Sequence, residues 1–108
     1  MMRAIVLSTL TLTGFALGAT SASAETDAER AARCTGQAQI VSSAVALRSG
    51  GADQNGALAR LEGSDSGIDP KYAPSISVLV GWIYSLPADQ MTAETAAAFE
   101  TQCLGYKP

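Results

Sequence analysis

The sequence predicts an all-α protein, a small bundle of three to four helices closed by one disulfide, following a cleaved signal peptide. Three observations carry that expectation. Apolar residues recur at three- and four-residue spacing in segments bounded by glycine and proline. The two cysteines, Cys34 and Cys103, lie near the two ends of the chain that remains after the leader. The leader itself carries the parts of an export signal in their proper order.

Met1, Met2 and Arg3 form a short positive start, and Ala4 to Gly18 form an apolar stretch around Ile5, Leu7, Leu10, Leu12, Phe15 and Leu17. Ala22-Ser23-Ala24 then supplies the small side chains that signal peptidase needs, which places cleavage after Ala24. The apolar stretch is about 15 residues long, where a spanning helix needs about 20, so a membrane anchor is not expected. No twin-arginine pair is present, and no cysteine stands near the cut to accept lipid. Residues 1–24 are thus expected to direct the chain to a bacterial periplasm or beyond, and residues 25–108 to form one small domain.

Arg3 is the one charge in the leader, so the exported part carries six Lys or Arg against ten Asp or Glu, a net of about −4. A nucleic-acid partner does not fit that balance. The carboxylates are scattered singly, and the apolar content suits a folded domain. There is no histidine, which removes nucleophile pairs of the Ser/His or Cys/His kind and imidazole metal sites. In an oxidising compartment Cys34 and Cys103 most simply pair with each other. Closing a loop of about 70 residues stabilises the fold by about 4 kcal/mol in the chain-entropy model.

Thr26-Asp27-Ala28-Glu29 matches a capping box, so a first helix is expected from about Ala28 to Ser49. Ala31, Cys34, Ala38, Val41 and Val45 form its apolar stripe, widened by Ile40, Ala44 and Leu47, until Gly50-Gly51 stops it. Arg30, Arg33, Gln37, Gln39 and Ser43 read as its solvated face, with Glu29 one turn before Arg33. Asp53 is placed to cap a short second helix, Gln54 to Glu62, with Leu58 and Leu61 on its apolar side and Gly63 at its end. Residues 63–67 compose a loop.

Asp69-Pro70 and Ala73-Pro74 each suit a helix start, because the N–H that proline lacks is unpaired there anyway. The third main helix is expected from about Pro74 to Leu86. Tyr72, Ile76, Leu79, Ile83 and Leu86 share a face, while Val78, Val80, Trp82 and Tyr84 make the segment apolar nearly all round, the mark of a central buried element. Its β-branched and aromatic residues make a strand over 76–84 the competing reading. Leu79 and Ile83 break the strand alternation and no partner strand is visible, so helix is expected. After Pro87, Thr92 is expected to cap a last helix running through Phe99 and Cys103 to Gly105, with Met91 packing on Ala96.

Candidate chemistry is sparse, and no catalytic, cofactor or metal site is assigned. Residues 51–62 resemble an EF-hand calcium loop at several positions: with Gly56 as sixth residue, Asp53, Asn55 and Glu62 fall on ligand positions. Gly51 stands where the first aspartate belongs, and helix capping by Asp53 is the simpler reading. Asp65 and Asp69 flank Gly67 as a conceivable acid and base pair, although turn-forming aspartates are far commoner. Trp82 and Tyr84 read as core in preference to a ligand groove.

The general plan of signal peptide, short helical exported chain and one disulfide resembles that of periplasmic acid-stress chaperones, and of periplasmic immunity proteins that block secreted amidase effectors. The likeness is one of plan and assigns no residue. The expected function is a non-enzymatic module that binds another exported protein, as an immunity-type inhibitor or as an acid chaperone. Protonating all ten carboxylates would turn the net −4 into about +6. Without histidine such a switch must act in the carboxylate range, near about pH 4. A small carboxylate-based enzyme and a calcium-stabilised structural module are the alternatives from other classes.

Overall fold

The computed structural model describes residues 25–106, so the expected signal peptide lies outside the described residues. Four α-helices follow one another: α1 (Asp27–Ser49), α2 (Gln54–Glu62), α3 (Ala73–Ser85) and α4 (Thr95–Gly105). Short 3₁₀ turns, Pro70–Tyr72 and Ala88–Gln90, lead into α3 and out of it. No strand occurs among the described residues, so 76–84 is helix.

Each boundary has a local cause. The Thr26 hydroxyl accepts from the Glu29 N–H at 3.0 Å and the Glu29 carboxylate accepts from the Thr26 N–H at 3.4 Å, the capping box expected at the start of α1. Beyond Ser49 the Gly51 backbone takes φ +95°, a left-handed conformation that glycine adopts without strain, and the Ala52 N–H returns to the Leu47 carbonyl at 2.9 Å. Asp53 caps α2 by accepting from the Gly56 N–H at 2.7 Å. Asp69 accepts from the Lys71 N–H at 3.0 Å and starts the 3₁₀ turn that carries Tyr72.

The core is built by α1, α2 and α3. Ile40, Val41 and Ala44 of α1 meet Ala57 and Leu61 of α2 and Ile76, Leu79, Val80 and Ile83 of α3, and every buried residue among those described is apolar or Cys34. Each isoleucine or leucine so buried contributes about 1.5–3 kcal/mol. Ser75 at the start of α3 bonds Gln37, whereas Ile83 and Leu86 at its end meet Arg48, so α3 runs parallel to α1. Thr35 bonds Glu100 and Arg48 contacts Met91, so α4 runs antiparallel to α1.

Three expectations are corrected. Thr92 does not cap the last helix: its hydroxyl accepts from the Glu94 N–H at 3.2 Å in a preceding turn, and the regular helix begins at Thr95. The third helix is not buried all round, because α4 leans on α1 and leaves Val78 70% and Trp82 39% exposed. Arg33, expected on a solvated face, is half-buried. Its Nε and Nη2 donate to the two oxygens of Glu25 at 2.8 and 2.9 Å, while Glu29 is committed to the cap.

Cys34 and Cys103 form the expected disulfide, with Cα atoms 5.6 Å apart, tying the second turn of α1 to the last turn of α4. That bond matters because α4 has no fully buried residue and rests on half-buried Ala96 and Phe99. No helix among the described residues is long and apolar enough to cross a membrane.

Candidate functional site

The residues weighed at first for chemistry are drawn apart. Asp53 and Glu62 stand at opposite ends of a continuous helix, about 13 Å apart along its axis at about 1.5 Å rise per residue, with Asn55 exposed in the first turn. An EF-hand ligand set must converge on one ion, and a helical path from Asp53 to Glu62 keeps its two carboxylates apart. Asp69 is engaged with the Lys71 N–H and lines a depression beside Leu61 and Ile76, while Asp65 faces a different one beside Leu47 and Arg60. Among the described residues no group of three or more metal-ligating side chains assembles.

What the fold does assemble is an aromatic cleft between α3 and α4. Val78 and Trp82 are one turn apart on the exposed side of α3, and the Trp82 ring meets the Phe99 ring of α4 at 5.8 Å between centroids with a 41° tilt. A surface cleft of about 310 Å³ opens beside this pair, lined also by Gln90, Glu94, Ala98 and Gln102. Glu94 is its one charged lining residue. One Glu94 oxygen, Oε2, accepts from the Thr92 hydroxyl at 3.0 Å, which holds the carboxylate at the cleft's edge.

Both walls are braced from behind. Arg48 Nη1 donates to the Ile83 and Leu86 carbonyls at 2.7 and 2.8 Å, closing the C-terminal end of α3. Its guanidinium lies 5.3 Å from the centre of the Tyr84 ring, and the Tyr84 hydroxyl donates to the Ala52 carbonyl at 2.5 Å. Burial pushes the Tyr84 phenol above its ordinary value, against the pull of Arg48. Tyr84 is thus a structural anchor, half-buried, while its neighbour Trp82 faces outward. On the α4 side the disulfide and the 3.0 Å bond from Thr35 to Glu100 fix the helix that carries Phe99.

A larger cleft of about 510 Å³ lies at the other end of α1, among Glu25, Arg33, Lys71 and Tyr72. Its Glu25, Arg33, Gln37 and Ser75 side chains already have partners, and the Lys71 ammonium lies 5.2 Å from the centre of the Tyr72 ring. The hydrogen bonds from Arg33 hold the Glu25 carboxyl below the usual carboxylate range, and Gln37 donates to Ser75 at 3.3 Å. Arg33 Nη1 lies 3.4 Å from the Cys103 sulfur, so the pair also covers one side of the disulfide.

Three structural residues escaped the sequence reading. Arg48 stands in the last turn of α1, where a cation suits the helix dipole, and nothing in one dimension shows that it reaches α3. Glu25 immediately precedes the capping box and carries no periodic signal. Gly36 did leave one, a glycine inside a long helix that costs about 1 kcal/mol against alanine and so needs a packing reason. Compared with protein-family models, with curated proteins and with solved structures, the chain matches none.

Proposed function

We propose that this chain is an exported, disulfide-closed binding module that meets another protein of the periplasm or cell exterior through the α3–α4 face. The observation that carries the reading is Trp82, 39% exposed beside Phe99, with Val78 70% exposed one turn away. Large aromatics are the commonest anchors of protein interfaces, and a small domain keeps such a ring out of its core at a cost in burial energy. The disulfide fits an oxidising compartment, in keeping with export directed by residues 1–24.

Between the two binding forms, an inhibitor of one folded partner is favoured over an acid chaperone. The Arg33-paired Glu25 carboxyl gives up its contribution only below its lowered pKa, and the core is wholly apolar among the described residues, so the packing itself gives acid no group to protonate. The expected fluorescence of an apolar-surface dye therefore stays near its neutral value well into the carboxylate range.

Affinity capture from periplasmic extract tests the reading. The wild-type chain is expected to retain one dominant protein, and Trp82→Ala and Val78→Asp to lose it while keeping the helical circular dichroism spectrum. Equal capture by the wild type and both variants overturns the assignment of this face.

A further inference from the structure

We infer that the α3–α4 cleft takes a basic side chain, arginine or lysine, presented by an apolar segment of the partner protein. The inference rests on the binding reading above and specifies the partner's chemistry. The cleft offers two aromatic rings 5.8 Å apart, one of them tryptophan, whose electron-rich face is the best of the aromatic surfaces for a cation. It adds one carboxylate, Glu94, and contains no Lys or Arg to answer it. The remaining polar lining is uncharged: the Thr92 and Thr95 hydroxyls are engaged within their own turn, and the side-chain oxygens of Gln90 and Gln102 suit the N–H donors of a guanidinium.

Size and charge point the same way. About 310 Å³ sits at the small end of ligand pockets and suits one long side chain better than a cofactor. The exported chain's net of about −4 favours approach by a basic partner. Val78, 70% exposed on the same side of α3, supplies the apolar ground on which residues flanking the cation would rest.

Trp82 is the chain's single tryptophan, so its fluorescence reports the cleft directly. The probe is a blocked pentapeptide with arginine between two leucines, titrated into the disulfide-intact protein beside a twin carrying citrulline, which keeps the shape and removes the charge. The arginine peptide is expected to saturate the Trp82 signal and to bind about tenfold more tightly than its twin, a gap that shrinks as salt rises. Glu94→Gln is expected to narrow the gap to about threefold or less, and Glu94→Lys to favour a glutamate peptide instead.

Equal binding of the two peptides, an undiminished gap in Glu94→Gln, or no saturable signal with the arginine peptide overturns the inference. The citrulline comparison uses the wild-type chain, so it stands whether or not a variant folds. Failure of the peptides with partner capture still lost in Trp82→Ala sinks only the basic side chain. Capture indifferent to Trp82 sinks the underlying reading.

Discussion

Arg48 finishes a helix that is not its own: from the last turn of α1 its Nη1 donates to the carbonyls of Ile83 and Leu86, the C-terminal end of α3. The Ile83 carbonyl also accepts the Leu86 N–H at 3.3 Å, and Pro87 ends the backbone pairing there, so the Arg48 side chain completes the satisfaction of this helix end. Arg48→Ala is expected to cost about 2 kcal/mol, because two hydrogen bonds from a charged donor are lost in a half-buried place. Arg48→Lys should recover less than half of that, since an ammonium lacks the guanidinium's rigid, pre-organised set of donors. Urea unfolding midpoints of the two variants check the order, and an Arg48→Ala midpoint equal to wild type refutes it.

Gly36 and Tyr72 make a second such pair. A Cβ at Gly36 would lie within 3.0 Å of three Tyr72 ring atoms, so the ring packs against bare backbone of α1. Gly36→Ala is therefore expected to destabilise by about 1–3 kcal/mol through overpacking, although alanine is the better helix former. In a Tyr72→Ala background the same substitution should stabilise by up to about 1 kcal/mol. The double-mutant cycle reads this change of sign directly.

The disulfide ties α4 covalently to α1, in addition to the packing of Ala96 and Phe99. Its closed loop spans 69 positions, for which chain entropy gives about 4 kcal/mol. Cys34→Ala with Cys103→Ala should lower stability by that order, and amide exchange should show α4 losing protection before α1 and α3. Uniform loss of protection along the chain would contradict the view that α4, with no fully buried residue, is the weakest-held element.

Two groups give stability a pH dependence at opposite ends of the scale. The hydrogen bonds from Arg33 lower the folded-state pKa of Glu25, so its contribution is complete above the ordinary carboxylate value of about 4.3 and is lost as pH falls through the lowered one. Glu25→Gln should flatten the acid limb of a stability–pH curve. Burial raises the folded-state pKa of Tyr84, so its contribution is complete below about pH 10 and is lost as pH rises through the raised value. Tyr84→Phe should remove that alkaline loss, while weakening the protein at neutral pH through the missing bond to Ala52.

The sequence by itself determined that the chain is helical and where α1 and α2 begin and end, because those signals are local. Thr26 and Glu29, Asp53, Asp69-Pro70 and Gly51 act on backbone groups within a few residues, and the observed boundaries of α1 and α2 follow from them. The cysteine pairing was equally legible, since two thiols have one way to pair within a chain. Only the tertiary structure decided which side of α3 stays uncovered. Val78 and Trp82 have the composition of core, and their exposure depends on where α4 comes to rest on α1, a matter of long-range packing that no local pattern encodes. The same holds for Arg48, whose partners lie across a helix interface, and for Glu25, which stands just outside the periodic segment and accepts from Arg33 inside it. The cleft is the consequence: Trp82 comes from α3 and Phe99 and Glu94 from α4 and its cap, and they acquire a shared meaning only when the bundle closes.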